Sequence, residues 1–144
     1  MEYKFYVKSP TMDENKYKHP QIAVEEFRYL GKIDQETVWL IGLNSNNKAI
    51  LKENIFKGTI DSSTCDPKLI FKRLLVSGST SFILIHNHPG GDSKPSREDD
   101  KVTEKIKKIA EIVGIRFLDH IIIADGNNDN EDYYYSYAAS GFLG

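Results

Sequence analysis

SFILIHNHPGGDSKPSREDD occupies residues 81–100. Ser81 to His86 form a short continuous apolar run, the pattern of a central strand buried on both faces. Pro89 has no N–H to give a ladder, so the strand should end there. Gly90 and Gly91 then let the chain turn back sharply. Ser96 can cap a helix whose apolar positions Val102, Ile106, Ile109 and Val113 fall at spacings of four, three and four, making one stripe. Gly114 closes it, and Arg116 to Ala124 reads as a further strand. Strand, loop, helix and strand in succession point to an α/β or α+β fold.

The flanking sequence extends the same pattern. Near the N-terminus Tyr3, Phe5 and Val7 alternate, which predicts a short strand. In QIAVEEFRYLG (21–31), Ala23, Phe27 and Leu30 share one helical stripe and Gly31 is a plausible stop. Residues 36–43 predict a strand, AsnSerAsnAsn (44–47) a turn, and 48–57 its hairpin partner. Asp66-Pro67 predicts a helix start, with Asp as cap and Pro in the first turn, and that helix should stop near Gly78. A polar loop at 125–132 precedes a last strand at Tyr133 to Tyr137. The expected architecture is a central mixed sheet flanked by helices.

The apolar strand ends in a functional signal. Side chains two apart on a strand point the same way, about 6.6 Å apart along it. If the strand continues to His88, the imidazoles of His86 and His88 project from one side and can close on one ion. Asp99, in the first turn of the following helix, can supply a carboxylate, although Asp92 and Asp100 are rivals at this spacing. Two neutral histidines and one carboxylate suit Zn²⁺, with a fourth position open for a water of pKa about 7. Ser-x-x-Asp is also an ordinary helix start. The two readings are compatible, because a cap at Ser96 fixes where Asp99 points.

His-x-His-Pro, six residues, then Ser-x-x-Asp resembles the JAMM motif of MPN/JAB1 metalloproteases. HNHPGGDSKPSREDD is closer still to the bacterial RadC-like branch, as are LysGlyThrIleAspSerSer (57–63), LeuAspHisIleIleIle (118–123) and the TyrTyrSerTyr ending. The resemblance covers residues 33–144, which implies an MPN-type domain there, led by an N-terminal strand and helix in 1–32. It implies a curved mixed sheet related to the cytidine deaminase fold. His86, His88 and Asp99 correspond to zinc ligands, Ser96 to an oxyanion-stabilising serine, and Glu36 to the glutamate that handles the proton of the attacking water. The implied activity is zinc-dependent hydrolysis of peptide or isopeptide bonds. The alternatives are a non-catalytic MPN binding module and a nuclease-like factor in DNA maintenance. Pro89-Gly90-Gly91 stands where that branch usually has Pro-Ser-Gly. Longer relatives carry an N-terminal module resembling helix-hairpin-helix, which residues 1–32 are too short to supply. This weakens a borrowed DNA role.

Bulk properties narrow the classes. The 144 residues, 40% hydrophobic and 28% charged, suit one domain of ordinary globular composition. A net charge of −2 gives no general attraction to nucleic acid. The single cysteine, Cys65, suits a reducing cytoplasm and excludes the Pro-Cys-x-x-Cys of zinc deaminases. No apolar stretch approaches the roughly 20 residues of a membrane span, and MEYKFYVK lacks the apolar core of a signal peptide. The contiguous letters HNH do not make an HNH nuclease, whose residues are spread over a ββα unit. Lys101, Lys105 and Lys108 are expected on a solvated helix face, His120 as a packed and hydrogen-bonded histidine, Trp39 in the core, and the tyrosines near 135 as cover for a sheet face. A protein or peptide partner is expected.

Overall fold

A computed structural model describes Tyr17 and residues 19–61, 63–126 and 133–143. The strand expected around Tyr3, Phe5 and Val7 lies outside the described residues, as does most of the polar loop after Asp125. In chain order the elements are α1 (Pro20–Phe27), a 3-10 helix (Arg28–Lys32), β1 (Thr37–Leu43), β2 (Ala49–Lys57), α2 (Pro67–Ser77), β3 (Ser81–Asn87), α3 (Arg97–Val113), β4 (Arg116–Ile123) and β5 (Tyr134–Ser136).

Among the described residues, five strands form one mixed sheet in the order β2-β1-β3-β4-β5. β1 pairs antiparallel with both β2 and β3, β3 pairs parallel with β4, and β5 returns antiparallel to β4. A parallel pair needs a crossover, and α3 supplies it. The central strand β3 is buried along its whole length, as its apolar run requires.

Strand alternation sends side chains into two cores. Val38, Leu40, Phe82 and Leu84 face α2 and α3, meeting Ile70, Leu74, Val102 and Ile106. Ile41, Leu43, Ile83, Ile85, Ile121 and Ile123 face the other way, onto Ala23, Val24, Phe27 and Leu30. The chain is thus α+β, with a sheet covered on both faces. Both long helices are delimited by local chemistry. The Asp66 carboxylate accepts from the N–H of Lys68, and Gly78 takes a left-handed φ of 74° as it ends α2.

Three sequence expectations change in detail. Gly31 is not a helix stop: it sits inside the 3-10 helix, where a Cβ would come within 2.3 Å of the Ala124 carbonyl oxygen. The buried stripe of α3 runs Asp99, Val102, Thr103, Ile106, Ala110, while Val113 is 40% exposed. The helix leaves the sheet's cover before its last turn, so the smaller Ala110 makes the contact. Trp39 is half-buried, packed beside Phe27 with ring centres 5.5 Å apart. Other expectations stand. Lys101 and Lys108 lie on the exposed face and pair with Glu98 and Glu104. Tyr133 and Tyr134 pack on the α1 side of the sheet, and Tyr137 is buried on the other.

Candidate metal centre

Three elements meet at the end of β3. Val38 pairs with His86 across the β1–β3 ladder. Two residues earlier, Glu36 therefore projects from the same face as His86. β3 ends at Asn87, but the N–H of His88 still reaches the Ile123 carbonyl at 2.9 Å, so both imidazoles leave the sheet on the α3 side. Pro89 and two glycines with φ of 113° and 99° then turn the chain away. α3 enters with a reciprocal capping box: Ser96 Oγ accepts from the Asp99 N–H at 3.1 Å, and Asp99 Oδ2 accepts from the Ser96 N–H at 2.8 Å. That box aims Asp99 at the histidines.

The three carboxylates the spacing left open are now separated. Asp99 is 2% exposed and lies 3.4 Å from His86 Nδ1 and 3.0 Å from His88 Nε2. The Asp92 carboxylate accepts from the Lys94 N–H, and Asp100 accepts from the Tyr137 hydroxyl at 2.7 Å. Glu36 Oε1 lies 2.7 Å from His86 Nε2. Donor atoms of Glu36, His86 and His88 all fall within 4.8 Å of one another, a group able to hold a metal ion. The site is shallow: the side chains of Glu36 and His88 are 22% and 18% exposed. Ser96 is at the surface.

Counting protons exposes a deficit. His88 Nδ1 faces the Asp92 carbonyl oxygen at 3.0 Å, and Nε2 faces Asp99. His86 Nε2 faces Glu36, and its buried Nδ1 makes no hydrogen bond, with Asp99 Oδ1 as the neighbouring acceptor. Four ring nitrogens thus look at four oxygens that only accept, yet two neutral imidazoles bring two N–H groups. The balance is two positive charges, either two extra protons or one divalent cation. His88 already leans toward taking up a proton. Burial alone pushes His88 down, but its hydrogen bonds to Asp99 and Asp92 and the nearby carboxylate charges carry its pKa above the ordinary value. Burial pushes Asp99 up, but the hydrogen bonds from His88 and Ser96 hold it well below the carboxylate range.

Two contributors escaped the reading of the sequence. The turn after β2, inside the LysGlyThrIleAspSerSer motif, gives Glu36 two backbone donors: Gly58 N–H to its carbonyl at 2.8 Å and Ile60 N–H to Oε2 at 3.4 Å. Asn87, between the two histidines, is fully buried and bonds to residues 30, 35 and 37. His120 behaves as expected. It is buried, bonded to Thr103 Oγ1 at 2.6 Å and stacked on Tyr137, 5.8 Å from the His86 ring. Cys65 is sealed in the α2–α3 core, where burial and then Asp66 push its thiol up to about 12. That is no nucleophile.

The chain is similar in sequence to known proteins. The chain is 40% identical over 114 residues to a UPF0758 protein of Flavobacterium johnsoniae, covering 79% of this chain and 47% of that one. It is 41% identical over 118 residues to one from Caldanaerobacter subterraneus subsp. tengcongensis, covering 81% and 49%. A UPF0758 protein of Finegoldia magna is 38% identical over 118 residues, with 81% and 53% covered. The chain spans about half the length of these curated relatives. A model of the RadC-like JAB domain matches residues 17–142, from the helix that covers the sheet, through both histidines and the α3 cap, to the last turn. With that match, this chain belongs to the RadC-like JAB domain family.

Proposed function

We propose that this chain is a zinc-dependent metallohydrolase of the JAMM type that cleaves peptide or isopeptide bonds. The observation that carries the reading is the paired deficit of positive charge between His86, His88, Asp99 and Glu36. A divalent cation fits it in number and donor type: imidazole nitrogen and carboxylate oxygen are ordinary zinc donors. His86, His88 and Asp99 would hold the ion. Zinc, when bound, supplies a Lewis acid that polarises the scissile carbonyl and acidifies water.

The chain's own groups do the rest. Glu36 Oε1 accepts one proton from the attacking water as its oxygen bonds to the carbonyl carbon. It passes that proton to the amide nitrogen as the C–N bond breaks. The exposed Ser96 hydroxyl donates toward the developing oxyanion, and its lone pair stays committed to the Asp99 N–H. His88 Nδ1 gives its proton to the Asp92 carbonyl, which leaves Nε2 as the donor facing the site. The substrate is a protein or peptide, reached from the open side of a shallow site. The lone buried cysteine fits a cytoplasmic setting, and no helix among the described residues is long and apolar enough to cross a membrane.

Metal analysis and amide cleavage test this together. The purified protein should carry about one zinc, lost in His86→Ala and Asp99→Ala. Amine release from peptide substrates should fall about 10²–10⁴-fold in Glu36→Gln with zinc retained. No zinc in the parent protein sinks the assignment. Metal-dependent nicking of DNA lost in the same Glu36 variant would move it to phosphodiester chemistry. Zinc retained with no Glu36-dependent reaction would leave a binding module.

A further inference from the structure

Asn87 is the residue between the two histidines, and strand alternation turns it to the opposite face of the sheet. There it uses every hydrogen-bonding position its amide has. Oδ1 accepts from the N–H and the hydroxyl of Thr37, each at 2.7 Å. Nδ2 donates to the carbonyls of Gln35 at 2.8 Å and Leu30 at 3.2 Å. The amide's orientation follows from these partners, since a flip would set NH₂ against an N–H and oxygen against two carbonyls. Asn87 is 0% exposed.

Its partners bracket one residue. Gln35 and Thr37 flank Glu36, whose own carbonyl is taken by Gly58 and whose Oε2 is met by Ile60. Neither of the flanking bonds to Asn87 is a ladder bond, so this side chain, beside the Glu36–His86 contact, ties the end of β1 to β3 at the point where regular pairing stops. We infer that Asn87 is a positioning residue: it clamps the backbone on both sides of Glu36, and so locks the proton carrier to the strand that bears His86 and His88. The inference rests on the proposed role of Glu36. It gives a purpose to the middle letter of HNH that ion binding does not.

The test uses the full chain with Co²⁺ as probe. Asn87→Asp keeps the acceptor for Thr37 but sets a carboxylate oxygen against the carbonyls of Gln35 and Leu30. Amine release from peptide by the Co²⁺-loaded chain should fall about 10–100-fold, the usual effect of losing a group that orients a site, while Co²⁺ stays bound. Glu36→Gln should lose more, again with Co²⁺ retained, and adding Asn87→Asp to it should cost nothing further. Additive losses overturn the inference, because Asn87 would then act on the histidines and not through Glu36. A second measurement needs no variant. In the metal-free parent, the Asn87 side-chain amide and the Thr37 N–H should exchange with solvent far more slowly than the exposed Asn46 amide. Exchange as fast as Asn46 overturns the clamp. A parent that binds no Co²⁺ defeats the metal reading, while slow exchange at these two groups still upholds the clamp.

Discussion

His120 lies one ring from the metal-facing pair and turns Nδ1 to the Thr103 hydroxyl. That hydroxyl gives its own proton to the Asp99 carbonyl at 2.7 Å, so His120 Nδ1 must be the donor. Burial first, and then the neighbouring His86, bring its pKa down to about 3. An unfolded histidine titrates near 6.5, so between roughly pH 6.5 and 3 the unfolded chain binds a proton that the folded one refuses. Stability from His120 is therefore complete above pH 6.5 and is lost as pH falls toward 3, with a slope of up to about 1.4 kcal/mol per pH unit. His120→Gln should flatten that part of the curve in urea denaturation of the chelated protein. An unchanged slope would mean that His120 charges freely in the fold. At this scale the sequence announced part of the site. His86, His88 and the Ser96–Asp99 pair are local neighbours whose spacing carries their geometry. Glu36 and Asn87 are not legible that way, because the β1–β3 register brings residues 35–37 to residue 87, and no local pattern writes that register down.

Among the elements, α3 links folding most directly to the site. Its capping box satisfies two end groups of the helix and aims Asp99 with the same atoms. Ser96→Ala should cost about 1 kcal/mol of stability, the usual value for a lost cap. It should also loosen Asp99 and weaken metal binding. Ser96→Asp restores a cap acceptor without a hydroxyl proton. It should recover stability and metal content but not turnover, which equilibrium unfolding, metal analysis and kinetics can separate. The 3-10 helix makes a second element-level test. Gly31 lies against the Ala124 backbone, so Gly31→Ala should cost on the order of 3 kcal/mol, the upper end for an overpacked contact, read as a lower denaturation midpoint. A change below about 0.5 kcal/mol would show that the backbone gives way without strain. The elements themselves were largely readable, since β3, α2 and α3 each carry a clean period and a chemical start or stop. The end of the α3 stripe was not. Val113 has the right spacing, but how far a helix stays against a sheet depends on where the sheet ends.

Across the whole molecule, the centre sits where the two-core sheet runs out, so an ion bound there would couple to folding. His88, with its raised pKa, stabilises the metal-free fold below its unfolded value near 6.5 and ceases to do so as pH rises through the folded one. Asp99, with its lowered pKa, contributes above about 3.8 and is lost only as pH falls through its folded value. Between these limits the metal-free site is held by an ion pair of its own. Zinc must displace the His88 proton to bind, so its affinity should drop as the solution is acidified below the raised pKa of His88, while Asp99 stays ionised and ready. At free zinc 100 times the dissociation constant, the gain in stability is about 2.7 kcal/mol, or roughly 5–10 °C in a domain of this size. Thermal melts of zinc-loaded and chelated protein across pH 5–8 should therefore separate most at the alkaline end and converge toward pH 5. Asp99→Asn should abolish the separation at every pH. A separation that stays constant with pH, or survives in Asp99→Asn, would place the stabilising zinc somewhere other than between His86, His88 and Asp99.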